Sequence, residues 1–409
     1  MAPEAAKELS IRIRKKGAGG APDLDVTASF TKESGSILGD ADSGRGLLLR
    51  CIAGLDTPEE GEIRLNGTVL FDSMAGICLP PAMRRVGYLA EDAALFAGLT
   101  VQENVTLALE AGRGRGTAPA GKHALAAQAD SILSKVGLDG LGGALPEHLS
   151  RSQKVLALFA RMMAAEPNLV LLDDPFRDLG GYEKAAVLQK VRNALQGAKI
   201  PWLFAGADRD EVYAMGEEIL VLHKRQGTGV RGREAFFRRP ETLAGAILSG
   251  CENIALVTRL DPRHVRVPDW GLVLRAVSVP EEEEKSEENN KKAPKQREEK
   301  SEKALPQKPA PTLPPDLAAV GIRAEDFLLE PPKEEDAATI SLPVREGEIL
   351  EERTGWRLVF RPGEHAEKKL CLFVPKSEMN KNDLEEVEKV YLPEAKILWL
   401  RDPNGGRIQ

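Results

Sequence analysis

Residues 37–46 read Ile37-Leu38-Gly39-Asp40-Ala41-Asp42-Ser43-Gly44-Arg45-Gly46, a glycine-rich turn between a short apolar strand and the start of a helix. A phosphate-binding loop is expected in that setting. The pattern of a working loop is G-x-x-x-x-G-K-[ST], in which backbone N–H groups wrap the phosphates, the lysine reaches the outer phosphates and the hydroxyl holds magnesium. Gly39 and Gly44 keep the spacing of the two glycines. The stretch therefore predicts a phosphate loop, with a plain glycine turn as the alternative.

Two positions depart from that pattern, and a third residue adds an unfavourable charge inside the loop. Arg45 keeps the positive charge of the lysine, but a guanidinium is larger and forked rather than a compact point charge. Gly46 has no hydroxyl for magnesium. Asp42 adds a carboxylate, which at about 4 Å from a phosphate would cost on the order of 4 kcal/mol at an effective dielectric constant of about 20. Taken alone, the loop is a weak match.

The sequence around the loop alternates short apolar runs with helical patterns, from residue 8 to about residue 249. This alternation predicts an α/β domain with a parallel or mixed sheet. The clearest predicted strands are 169–172, 202–205 and 219–222, and the clearest predicted helices are 46–52, 153–165 and 183–195.

Further motifs follow the loop in order. They are Arg50-Cys51-Ile52-Ala53-Gly54-Leu55, Pro58-Glu59-Glu60-Gly61-Glu62-Ile63, Arg85-Val86-Gly87-Tyr88-Leu89-Ala90-Glu91-Asp92, Leu149-Ser150-Arg151-Ser152-Gln153, Leu171-Leu172-Asp173-Asp174-Pro175-Phe176 and Asp208-Arg209-Asp210-Glu211. In this order and spacing, over roughly residues 8–250, they closely resemble an ATP-binding-cassette (ABC) transporter ATPase. The resemblance implies an α/β fold, namely an ABC-type P-loop nucleotide-binding domain with a helical subdomain, and ATP and Mg as cofactors.

The resemblance also assigns a role to residues 149–153. In the family this signature motif, LSGGQ, contacts the phosphate of the nucleotide bound to the opposing subunit. Ser150 and Gln153 are retained, whereas Arg151 and Ser152 replace both glycines, which opposes close backbone approach. The structural alternative for Ser150 and Gln153 is to cap and begin the helix that follows.

The resemblance places the catalytic positions at Glu91, Asp174 and Ala207 and the metal position at Asp173. Glu91 stands where a glutamine contacts magnesium and couples to the permease, and Asp174 stands where a longer glutamate positions the attacking water. Ala207 occupies the position of the switch histidine and cannot donate a hydrogen bond to a phosphate. The alternative for Asp173 and Asp174 is a plain exit from a strand. The positions that the resemblance assigns to nucleotide binding are Gly39, Asp42, Gly44, Arg45, Gly46, Ser150 and Gln153.

After residue 249 the sequence changes to shorter β-rich segments, which predict a second, mostly β domain. Residues 248–254 and 320–326 resemble the junction and accessory domain of molybdate-type and tungstate-type importer ATPases, a small oligonucleotide-fold-like barrel that can bind oxyanion. No oxyanion motif of the Ser-Ala-Arg-Asn type is recognisable near residues 341–343. The predicted division is 1–249 for the nucleotide-binding domain, 250–279 and 316–409 for the accessory domain, and 280–315 for a disordered linker, charged and rich in proline.

Composition narrows the classes of function. A length of 409 residues suggests two or three domains, and a formal net charge of −7 opposes an electrostatic nucleic-acid binder, so no nucleic-acid partner is expected. The 4 cysteines lie far apart without metal-ligand spacing, which is typical of reduced thiols. No signal-peptide core or membrane span is recognisable. Together with the resemblance to importer ATPases, which implies a permease as partner, this leads us to expect a cytoplasmic protein that is peripheral on the inner face of the cell membrane.

Two main hypotheses for function follow. In the first, the chain is the ATP-binding subunit of an ABC importer for molybdate or a related oxyanion, docks on a membrane permease and forms a homodimer, or a heterodimer with another ABC ATPase subunit. Its ATP hydrolysis would be weak or absent; any turnover would use Arg45 for phosphate, Asp173 for magnesium and Asp174 to orient water. In the second, the chain is a pseudo-ATPase scaffold that pairs with an active subunit. An oxyanion-sensing regulator is a third possibility.

Overall fold

The computed structural model describes residues 8–17, 19, 22–112, 121–276, 313–332 and 338–402. The chain divides into two compact units, Met1–Arg239 and Pro240–Gln409. The linker expected at 280–315 lies outside the described residues, apart from 313–315.

The first unit is built on an eleven-stranded sheet with the strand order β6-β5-β4-β1-β2-β11-β10-β3-β9-β8-β7. Its strands are β1 (Leu9–Lys15), β2 (Leu24–Phe30), β3 (Ser34–Leu38), β4 (Glu60–Leu65), β5 (Thr68–Asp72), β6 (Ile77–Cys78), β7 (Val86–Leu89), β8 (Leu169–Asp173), β9 (Trp202–Gly206), β10 (Glu218–His223) and β11 (Gln226–Gly232). The neighbouring strands β7, β8, β9, β3 and β10 run parallel to one another. Every residue of β3, β8 and β9 is buried, as expected for central parallel strands covered on both faces.

Helices cover this sheet and form a separate helical layer. They are α1 (Arg45–Ala53), α2 (Pro81–Arg84), α3 (Val101–Gly112), α4 (Lys122–Lys135), α5 (Arg151–Met163), α6 (Gly181–Ala198), α7 (Arg209–Met215) and α8 (Arg233–Arg238). Leu48 and Ile52 of α1 share one core cluster with Leu171 and Leu203 of the central strands. Helices α3, α4 and α5 pack against one another, which matches the expected helical subdomain. The predicted strands and helices named above are confirmed, with small shifts at their ends.

The described residues of the second unit form four small sheets, which confirms its β-rich character. Its strands are β12 (Asn253–Leu256), β13 (Thr258–Arg259), β14 (His264–Val267), β15 (Leu272–Arg275), β16 (Leu317–Ile322), β17 (Thr339–Pro343), β18 (Arg345–Glu351), β19 (Gly355–Arg361), β20 (Leu370–Pro375), β21 (Lys389–Pro393) and β22 (Leu398–Arg401), and its helices are α9 (Leu243–Leu248) and α10 (Lys381–Glu385). The unit begins at Pro240, ahead of the change in sequence at residue 249, because Leu243 of α9 belongs to a core cluster with Leu398 and Leu400.

Asn253 fixes the start of the β-rich region. Its side-chain amide donates to the carbonyls of Ile322, at 3.1 Å, and Cys371, at 2.8 Å, and its Oδ1 accepts from the Cys371 N–H at 2.6 Å. One buried side chain therefore joins β12, β16 and β20. The motif at 248–254 thus has a structural role in this unit.

Of the helices that the structure describes, none combines the length and apolar composition needed to cross a bilayer.

Candidate functional site

The predicted site residues of the first unit follow the parallel strands at one edge of the sheet. In register, Leu38 of β3 pairs with Gly206 of β9, and Asp173 of β8 pairs with Ala205 of the same strand. Because parallel strands end at the same edge, the loop after β3 and the acidic residues at the end of β8 meet there. This edge is where an open α/β sheet binds its ligands.

The loop after β3 depends on two glycines. A Cβ on Gly39 would lie 2.5 Å from the Ser43 Oγ and 2.6 Å from the Leu222 carbonyl oxygen, so no larger residue fits. Gly44 has a φ of +87°, in the left-handed region that favours glycine, and it precedes α1 directly. The Ser43 hydroxyl closes the turn by donating to the Asp40 carbonyl at 2.6 Å. Asp42 is exposed.

Arg45 turns its charge into the protein. The residue is only 4% exposed. Its Nη1 donates to the carbonyl oxygens of Gly39, at 2.7 Å, and Asp40, at 2.8 Å. Its Nη2 donates to the Asp174 Oδ2 at 2.8 Å. The cation that would hold phosphate is therefore already neutralised and hydrogen-bonded within the chain.

A second arginine completes this arrangement. The Nε and Nη2 of Arg177 donate to the same Asp174 Oδ2, at 3.2 Å and 3.0 Å, and its Nη1 forms an ion pair with the Glu91 Oε1. Asp174 itself is 6% exposed and adopts a φ of +47°, in the left-handed region. We call these four residues, Arg45, Asp174, Arg177 and Glu91, the arginine network. Two positive and two negative charges balance in it.

Asp173 is engaged by a tyrosine. The Tyr88 hydroxyl donates to the Asp173 Oδ2 at 2.8 Å. Burial raises the pKa of the Asp173 carboxyl above its ordinary value, against the opposing effects of Tyr88 and Arg45. Burial also raises the pKa of Tyr88, which keeps the phenol a neutral donor. A Cβ on Gly46 would lie 3.0 Å from the Asp173 Oδ2, so even the serine of a working loop would crowd this carboxylate.

As arranged here, these side chains do not fit Mg-ATP. The Arg45 guanidinium donates to carbonyl oxygens of the loop that would have to wrap phosphate. The Oδ2 of Asp173, the expected magnesium ligand, already accepts a hydrogen bond from the Tyr88 hydroxyl. Within the described ranges, no cluster of three His, Cys, Asp or Glu side chains could hold a metal ion.

Ser150 and Gln153 begin helix α5 with a capping box. The Ser150 Oγ accepts from the Gln153 N–H at 3.2 Å, and the Gln153 Oε1 accepts from the Ser150 N–H at 2.8 Å. The Ser152 hydroxyl lies 2.9 Å from the Ser150 Oγ. The structural alternative for these residues is therefore observed, and a nucleotide contact stays a prediction.

Ala207 lies between β9 and α7. The next residue, Asp208, caps α7 by accepting from the backbone N–H groups of Asp210, at 2.8 Å, and Glu211, at 3.2 Å. Glu211 pairs with Lys184 of α6 at 2.5 Å. These interactions stabilise the start of α7 without the missing histidine.

Sequence analysis missed Arg177 and Tyr88. Both lie close in sequence to residues that were identified. Arg177 comes three positions after Asp174, and Tyr88 comes three positions before Glu91. A basic residue so soon after an acidic strand exit is a usable signal, because the chain turns back there and can form an i,i+3 ion pair. Tyr88 could have been found from the parallel pairing of its strand with β8.

Comparisons with known proteins agree with this architecture. Residues 27–177 match the family model described as ABC transporter. A molybdenum import ATP-binding protein ModC of Salmonella choleraesuis is 31% identical over 191 residues, covering 47% of this chain and 51% of that protein. A ModC of Brucella melitensis is 31% identical over 216 residues, covering 52% and 56%, respectively. A sulfate/thiosulfate import ATP-binding protein CysA of Caulobacter vibrioides is 29% identical over 207 residues, covering 51% and 59%.

The chain therefore spans about half the length of the curated relatives that it matches. The match to the family model includes the loop at 37–46, Glu91 and the acidic pair Asp173 and Asp174. Residues 27–177 accordingly lie in an ABC transporter domain with the P-loop α/β fold, and the chain resembles the ATP-binding subunits of molybdenum importers.

Proposed function

We propose that this chain is the ABC-type subunit of an importer for molybdate or a related oxyanion, and that its own nucleotide site hydrolyses ATP weakly or not at all. The names of the similar proteins support the solute class, since they import molybdenum or sulfate and thiosulfate. In this role the chain docks on a membrane permease at the inner face of the membrane and pairs with a second ATPase subunit.

The inward guanidinium of Arg45 carries the proposal of weak hydrolysis. Arg45 is buried, and three of its N–H groups are directed to acceptors of its own chain. A nucleotide would have to displace these hydrogen bonds and leave the Asp174 carboxylate, which is 6% exposed, facing incoming phosphates. Both changes oppose binding.

The same observation favours the pseudo-ATPase scaffold as the second candidate. The charges of the arginine network are balanced without a ligand, so the fold does not need nucleotide to satisfy them. Such a subunit would keep the shape required for dimerisation and docking, and an active partner would supply hydrolysis.

Thermal unfolding of the full chain with and without Mg-ATP tests this part of the proposal. A competent site at 100 times its dissociation constant would add roughly 2.7 kcal/mol, which is about 5–10 °C for a unit of this size. We expect no shift of that size at millimolar Mg-ATP and no release of phosphate above that of the Asp174→Asn variant. A full shift together with phosphate release that Asp174→Asn abolishes would refute it.

A separate experiment tests the solute. Cells lacking this chain should lose uptake of labelled molybdate or a related oxyanion, and the wild-type chain should restore it. Unchanged uptake of molybdate, tungstate and sulfate in the deletion strain would refute the importer role. Restoration by Asp174→Asn would support the scaffold over a weak ATPase.

A further inference from the structure

Arg177 connects two segments that are far apart in the sequence. It follows β8 in a loop, and Glu91 follows β7, the neighbouring parallel strand. Along one edge of the guanidinium, Nε and Nη2 donate to the Asp174 Oδ2, while Nη1 contacts the Glu91 Oε1. A single cation thus joins two carboxylates from the ends of two strands.

Bridging carboxylates of different segments is what a bound metal ion ordinarily does in a protein. We propose that Arg177 takes the place of such a cation and holds the turn after β7 against the end of β8. The turn that contains Glu91 is then kept in one position whether or not nucleotide is present. The inference rests on the proposed function only for its consequence: if the turn that contains Glu91 faces the permease, its position there does not depend on ATP.

The contacts distinguish this arrangement from an ordinary surface ion pair. Arg177 and Glu91 are about half exposed, but Asp174 is only 7% exposed at its side chain, so one end of the bridge is anchored in the protein. Arg45 donates to the same Asp174 oxygen at 2.8 Å, which anchors the carboxylate further. A guanidinium can serve both carboxylates at once because its donors lie in a rigid planar fork.

Hydrogen exchange of the full chain, read by mass spectrometry, tests the proposal. Ala93 reports on the turn, since its N–H donates to the Ala90 carbonyl at 3.1 Å. In Arg177→Met, which keeps an unbranched side chain but loses the charge, we expect the peptide over 86–93 to exchange about fivefold faster, the change expected for losing about 1 kcal/mol. Peptides of β9 should be unchanged. The matched control is Arg209→Met, which removes an exposed arginine 4.0 Å from its only ion-pair partner in the described residues, Asp210.

Glu91→Gln should accelerate exchange over the same peptide, and the double variant should add nothing to Arg177→Met. Unchanged exchange over 86–93 in Arg177→Met, with the β9 peptides intact, would overturn the proposal. So would acceleration of equal size in Arg209→Met. The two proposals can fail separately. If Mg-ATP raises the unfolding temperature of the wild type and phosphate is released, the proposed weak or absent hydrolysis is refuted. Faster exchange in Arg177→Met would still support the role of Arg177.

Discussion

Asp174→Asn offers the sharpest test of the arginine network. The asparagine has nearly the same shape and tolerates the left-handed conformation at this position, where φ is +47°. Among the described residues, Asp174 is the only carboxylate in an ion pair with the buried Arg45, which is 4% exposed, and the change removes it. Removing one partner of a buried ion pair costs about 3–5 kcal/mol, because it leaves the other charge uncompensated. We expect the lower end, about 3 kcal/mol, since Arg45 keeps its two carbonyl acceptors.

Urea unfolding of the full chain would measure this loss, and in thermal unfolding it corresponds to about 6–12 °C for a unit of this size. Asp178→Asn, an exposed carboxylate four positions along the chain, is the control and should change the free energy of unfolding by less than about 0.5 kcal/mol. The loss in Asp174→Asn should persist in 1 M salt, because burial limits screening. A loss below about 1 kcal/mol, or one equal to that of the control, would refute the reasoning.

Three further predictions concern separate parts of the chain. Burial raises the pKa of the Asp173 carboxyl, so the folded protein keeps this proton at pH values where the unfolded chain has lost it. The wild type therefore loses stability as the pH rises above the ordinary aspartate pKa, and the unfolding free energy of Asp173→Asn relative to wild type should increase over that range; a flat difference would contradict this. Asn253→Ala should destabilise the second unit by about 2–3 kcal/mol in calorimetry, since it leaves buried backbone groups unpaired, whereas a loss under about 0.5 kcal/mol would count against that role. Ser150→Ala should cost about 1 kcal/mol through the lost cap of α5, measured by urea unfolding; no loss would contradict a capping role.

The sheet was predictable because its central strands carry a strong local signal. The runs at 169–172 and 202–205 are apolar throughout, which is typical of strands buried on both faces, and the structure places them side by side in parallel. The spacing of the two glycines was also enough to predict the turn between β3 and α1. The backbone found there requires glycine at both Gly39 and Gly44.

The orientation of the Arg45 side chain could not be predicted from its place in the loop motif. Its charge suggested a contact with phosphate, but a guanidinium has five donors in a fixed fork and can satisfy several acceptors of its own chain at once. Whether it does so depends on the placement of Asp174, 129 positions away. The partner of Arg177 was hidden for the same reason, because Glu91 lies 86 positions away and approaches only through strand pairing.

The departures from a working nucleotide site are therefore coupled to one another. Restoring Arg45→Lys would leave Asp174 with Arg177 as its main partner, and Gly46→Ser would press on Asp173, which Tyr88 already engages. We expect the triple variant Arg45→Lys, Gly46→Ser and Ala207→His to release no phosphate, because Arg177 still neutralises the carboxylate expected to orient water. Adding Arg177→Ala frees both Asp174 and Glu91, so any recovery of Mg-ATP binding should appear first in the fourfold variant. Equal recovery in the triple variant would mean that Arg177 does not control the site.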